Sequence, residues 1–168
     1  MSLIGHVYLL PEARIEALLA EPSQVLSVID ASYNDPAQGF VDLDKAWNAL
    51  HYLLTGSARD GEGPLAFLLN GGSAVGQEDL GGCGPARAFR PSEVAAIADA
   101  LAGVSQRTLM PRFDLKKFQR LDLYPGRWDE VNPRSDYDLG YYFGPLEQLK
   151  SLTRRAKAEG LGMLVWIS

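Results

Sequence analysis

The sequence is poorest in the residues that carry most redox, metal and nucleophilic chemistry. Among 168 residues there is one cysteine, Cys83, and there are two histidines, His6 and His51. A single cysteine excludes an internal disulfide framework and fits a reducing cytoplasm. The two histidines lie far apart in sequence, with no ligand-spaced acid or thiol pair, so no metal site is expected. No apolar run approaches the length that crosses a bilayer. The start of the chain, Met1-Ser-Leu-Ile-Gly-His6, lacks a basic stretch followed by an apolar one, so no signal peptide is expected. Basic residues are scarce early: residues 1–100 carry 5 Lys/Arg against 13 Asp/Glu, a net −8, and residues 101–168 carry 11 against 8, a net +3. An acidic half, and a basic half interleaved with acids, lack the concentrated positive face of a nucleic-acid binder.

What is present is ordinary globular material: 46% hydrophobic and 22% charged residues, enough for one domain, 1–168, with a real core. Residues 3–10 and 161–167 are apolar and rich in strand formers, one at each end of the chain. They predict a sheet in which the termini pair, covered by several helices: an α+β fold with a mixed sheet. Pro11 predicts a helix over 11–20, and Pro22 a second short one carrying Val25, Leu26 and Ile29, followed by a turn-rich loop over 31–40. Residues 64–69 suit a strand or a buried helix, and 86–90 a short strand. Further helices are expected from Pro91 to Gly103, near 111–120, and through Leu146, Leu149 and Ala156 to Gly160, with Gly144-Pro145 starting or kinking the last.

Two segments carry the functional signal. Residues 43–55 read as an amphipathic helix capped by Asp42 and closed by Gly56. Leu43, Ala46, Trp47, Leu50, Leu53 and Leu54 share its apolar arc, with His51 at the margin and Lys45, Asn48 and Tyr52 opposite. Residues 70–85 form a long loop, part of a stretch from Gly56 to Gly84 that holds nine of the 17 glycines. Such a loop either contacts a ligand or partner, or is a structural Ω-type loop. A phosphate-binding loop is excluded in detail: Gln77 and Glu78 stand where Lys and Ser or Thr are needed, and Pro85 with a strand follows where a dinucleotide loop needs a helix. No cofactor is implied.

The helix and the loop define an expected cleft with Trp47, His51, Asp79, Arg87, Tyr124 and Trp128 as ligand contacts. Each has a plainer reading. His51 suits a boundary imidazole bonded to a backbone carbonyl. The aromatics, Tyr137 among them, suit core or loop anchors. Arg87 suits an ion pair with Glu78 or Asp79. A weaker catalytic reading makes Cys83 the nucleophile and His51 its base, oriented by Asp44 or Asp79. Lone small cysteines are, however, usually packed and inert. The reading that leads is a binding domain for a small molecule or a protein. A small hydrolase or transferase is the rival, and an acidic antagonist of a basic partner the third reading.

The chain resembles the bacterial YfbM-like proteins, an uncharacterised family of small single-domain chains. The resemblance is carried by Leu43-Asp-Lys-Ala-Trp47, Leu50-His51, Leu54-Thr-Gly56, Gly71-Gly72, Asp79-Leu-Gly81, Gly84-Pro-Ala-Arg87, Pro91, Glu93-Val94 and Tyr124-Pro125 with Trp128. The C-terminal helix and strand complete it. It implies a compact α/β-type domain in a bacterial cytoplasm and brings no established reaction, cofactor or catalytic set. Arg90, where a Ser or Thr cap is expected, and Gly144-Pro145 within the last helix depart from that pattern.

Overall fold

A computed structural model describes residues 2–168. The two terminal strands pair as expected: β1 (Gly5–Pro11) runs antiparallel to β5 (Leu161–Ile167), with Val7 opposite Val165 and Leu9 opposite Met163. The sheet has the order β2-β1-β5-β4-β3, where β2 is Phe40–Asp44, β3 Ser73–Ala74 and β4 Arg87–Phe89. Every pairing is antiparallel, so the expected mixed sheet is corrected. The cause is topological. Each connection between consecutive strands that pair, β1 to β2, β3 to β4 and β4 to β5, re-enters the sheet at the end it left, so none makes a parallel crossover.

Alternation along the strands divides the core in two. Val7, Leu9, Met163, Val165 and Ile167 face α3 (Trp47–Thr55), α4 (Pro91–Ala102) and α7 (Asp136–Glu159) in the larger cluster. Tyr8, Leu10, Leu164 and Trp166 face α1 (Glu12–Ala20) and α2 (Val25–Asn34). α2 starts after a 3₁₀ turn at Pro22–Gln24 and continues through residues expected to be loop. It closes its polar Ser32 internally, the hydroxyl donating to the Ile29 carbonyl at 2.6 Å. Of the apolar residues it carries, Val25 and Ile29 are buried, whereas Leu26 is 47% exposed.

The helix expected over 43–55 begins at Trp47, because Phe40-Val-Asp-Leu-Asp44 is strand β2 with alternating burial. Asp42 caps nothing; its carboxylate accepts from the Asp44 N–H, 2.7 Å away, and shapes the strand's end. Residues 64–69 are neither strand nor α-helix but begin as a 3₁₀ turn, Pro64–Ala66. The basic stretch near 111–120 is split into a 3₁₀ turn at Met110–Arg112 and α6 (Leu115–Arg120), which Asp114 caps. A short α5 (Gln106–Leu109), capped by Ser105, precedes them.

α7 passes through Pro145 without a break. Gly144 removes the Cβ that would clash with the proline ring, and only one helical hydrogen bond is forgone. At α4, Arg90 offers no side-chain cap, but Glu93 supplies the reciprocal half of a capping box: its carboxylate accepts from the Arg90 N–H at 2.8 Å. No helix among the described residues is long and apolar enough to cross a membrane.

Candidate functional site

α3 is wrapped on every side. From Trp47 to Leu54 all eight residues are buried, including Asn48, His51 and Tyr52, which sequence placed on the polar side or its margin. α7 and the 3₁₀ turn at Pro64–Ala66 pack against α3, and the segments around 57–60 and 112–124 bond to it. Close approach to β1 needs Gly5, since a Cβ there would lie 2.7 Å from the Trp47 Cβ.

Most buried polar groups on α3 are matched, His51 Nδ1 being left without a partner among the described residues. Asn48 Nδ2 donates to the Ala58 carbonyl at 2.7 Å, and Asn48 Oδ1 accepts from the Tyr124 N–H at 2.8 Å. His51 Nε2 lies 3.2 Å from the Asp60 carbonyl, which makes Nε2 the protonated nitrogen. Asn70 Nδ2 donates to the Arg59 carbonyl at 2.8 Å. Three consecutive carbonyls, those of Ala58, Arg59 and Asp60, are thus each held by a side chain. Trp47 Nε1 donates to the Leu3 carbonyl at 3.1 Å, and the Leu3 N–H donates to the Tyr124 hydroxyl at 2.8 Å. The Trp47 and Tyr124 rings stack, with centroids 5.6 Å apart and planes 20° from parallel.

This lattice encloses a hollow of about 460 Å³. Leu3, Trp47, Asn48, Leu69 and Tyr124 line its inner wall, and Arg59, Gly82, Cys83 and Asp122 its exposed rim. The glycine-rich loop reaches the hollow because it lies on the end of the sheet. A Cβ on Gly81 would sit 3.0 Å from Ser168 Cα and 3.2 Å from the Ile167 carbonyl oxygen. A second hollow, about 320 Å³, lies between β1 and the α1–α2 pair beside Tyr8 and Arg14.

Three of the residues picked from sequence meet at the larger hollow: Trp47, Cys83 and Tyr124. The others do not line it. His51 is fully buried, and burial pulls its pKa down, so it is a neutral pin for the 57–60 segment and not a cleft wall. Asp79 turns inward on its own loop. Its Oδ1 accepts from the N–H groups of Gly81, Gly82 and Gly84 at 3.1, 2.6 and 3.2 Å, and the amides of Gly81 and Gly82 above all hold its pKa low.

Arg87 forms no pair with Glu78 or Asp79. Its guanidinium donates to the carbonyls of Leu68, Asn70 and Gly71, and burial pulls its pKa to about 10. Those carbonyls belong to a turn that no neighbouring strand pairs, and a five-donor fork satisfies several at once. Trp128 is 1% exposed, its Nε1 donating to the Leu123 carbonyl at 2.9 Å. Tyr137 stands in solvent at 86% exposure.

The catalytic set expected as a rival is not assembled. No hydrogen bond joins His51 to Cys83 or Asp79 among the described residues. Partial desolvation raises the pKa of the exposed Cys83 thiol, against the pull of Arg59 and with the push of Asp79, which disfavours the nucleophilic thiolate. No group of three or more His, Cys, Asp or Glu side chains among the described residues is arranged to hold a metal ion. Sequence reasoning missed Leu3, Asn48, Leu69, Arg59 and Asp122.

A family model described as "Domain of unknown function (DUF1877)" matches residues 1–166. The chain belongs to the DUF1877 family. Its fold is similar to that of a protein of unknown function, YfbM from Escherichia coli, known from a crystal structure. The TM-score is 0.72 at 23% identity, over 98% of this chain and 99% of that one. The expected YfbM-like membership and α+β class therefore hold for this DUF1877 chain. No curated protein matches it.

The two buried histidines set a pH dependence. His6 is 4% exposed and stacked on Trp166 at 5.0 Å and 23°. Burial lowers its pKa and that of His51 below the ordinary 6.5. Below pH 6.5 the unfolded chain binds protons that the folded chain refuses. Their contribution is therefore fully present above pH 6.5 and is lost as the pH falls through the folded pKa values. Urea unfolding at neutral and mildly acidic pH should show lower stability in acid. The difference should shrink in a His6→Phe/His51→Gln variant; an unchanged difference would remove the histidines from the account.

Proposed function

We propose that this chain is a small-molecule-binding domain and that its ligand occupies the hollow between α3, the tip of the glycine-rich loop and Asp122–Gly126. The observation that carries this reading is that the hollow's walls are pinned by buried polar side chains, with Asn48 bridging Ala58 and Tyr124. A binding site held open in advance avoids the cost of ordering its own loops. Its volume, about 460 Å³, falls within the roughly 300–1,000 Å³ typical of small-molecule sites. The surroundings also suit one: an aromatic pair inside and separate polar groups at the mouth.

Ligand-observed NMR with a fragment library tests the reading. Cys83 is exposed at the rim, so Cys83→Trp plugs the mouth without entering the core. Fragments that bind the native chain should lose their signal with Cys83→Trp. Equal signals from both folded proteins would place binding elsewhere and defeat the proposal.

A further inference from the structure

The rim of the hollow carries two opposite charges that the fold itself does not use. Arg59 and Asp122 both line it. Among the described residues neither belongs to an ion pair. Each is bonded only through its backbone: the Arg59 carbonyl accepts from Asn70, and the Asp122 N–H donates to the Gln119 carbonyl at 3.2 Å. The backbone that carries each of them is nonetheless held. Arg59 lies in the segment gripped at Ala58, Arg59 and Asp60. Asp122 sits in the left-handed region, φ 51°, just before Leu123 and Tyr124. Aspartate is among the few non-glycine residues that tolerate that conformation.

We propose that the hollow takes a small zwitterion, an α-amino acid with an aromatic or large aliphatic side chain. The carboxylate pairs with the Arg59 guanidinium, the ammonium with the Asp122 carboxylate, and the side chain lies against Tyr124, Leu3 and Leu69. This assignment rests on the reading of the hollow as a ligand site. The alternatives are each worse matched. A simple anion would face Asp122, and a simple cation would face Arg59. A neutral ligand would leave both charges unused. A zwitterion satisfies both, and guanidinium–carboxylate pairing adds bidentate geometry.

The test is an amide-shift NMR titration of the full chain with L-phenylalanine and L-leucine. Two truncated probes accompany them: 3-phenylpropionate, which lacks the ammonium, and phenethylamine, which lacks the carboxylate. The variants are Arg59→Gln and Asp122→Asn; asparagine also tolerates the left-handed backbone, so the turn is kept. At least one amino acid should shift amides around the hollow. Each truncated probe and each variant should bind about two- to five-fold more weakly, the loss expected for one solvent-exposed ion pair. The zwitterion assignment is overturned if neither amino acid binds, if 3-phenylpropionate binds as tightly as phenylalanine, or if Asp122→Asn leaves the affinity unchanged. If neutral fragments still map to the hollow in that case, the ligand site stands and only its ligand class falls. If nothing maps there, both fall.

Discussion

Trp128→Ala should cost the fold about 3–5 kcal/mol, the range for truncating a fully buried aromatic. The Trp128 ring meets Phe118 edge-on at 4.9 Å and Tyr142 at 5.3 Å, and it is 1% exposed. Truncation leaves a cavity between α6, α7 and the 123–128 turn. It also frees the Leu123 carbonyl that the indole N–H now satisfies. Urea unfolding should show an earlier midpoint with an unchanged slope, since the surface exposed on unfolding stays nearly the same. A loss under about 0.5 kcal/mol, the scale of a typical surface change, would mean that Trp128 is not the core anchor described. The sequence offered Trp128 as a ligand contact, and this result would separate the two roles.

Asn48→Ala should cost about 2–4 kcal/mol, because two backbone groups lose their partner at once. The Ala58 carbonyl and the Tyr124 N–H are both part-buried, and one amide side chain serves both. The loss should be local as well as global. Hydrogen exchange of the Tyr124 amide should speed up relative to the amides of β1 and β5, because its only acceptor is gone. If the Tyr124 amide keeps its native protection in the variant, Asn48 does not hold the wall.

Both predictions turn on residues whose type was legible and whose surroundings were not. The terminal strands could be read because each is a continuous apolar run, and α4 because its apolar spacing fits one face. β2 was hidden. Phe40-Val-Asp-Leu-Asp44 alternates as a strand should, but Leu43 and Ala46 also extend the helical arc of α3, and the helix template absorbed them. Antiparallel pairing throughout was not legible, since strand direction depends on where each connection returns.

At the site, the backbone-bonded reading of His51 described it correctly, whereas Arg87 and Asp79 were read by charge. Their partners turn out to be carbonyls and amides of neighbouring loops. Backbone partners leave no trace in side-chain spacing, so charge pairing was the wrong guide. Arg59 and Asp122 were passed over because neither belongs to a motif. Only the fold places both on one rim.

The most direct test of a preformed ligand hollow is an amide-shift map of the native chain with the fragments that Cys83→Trp excludes. The account predicts shifts confined to the amides of Trp47, Asn48, Arg59, Gly82, Leu123 and Tyr124. Shifts gathered instead beside Tyr8 and Arg14, or scattered with no contiguous surface, would contradict it.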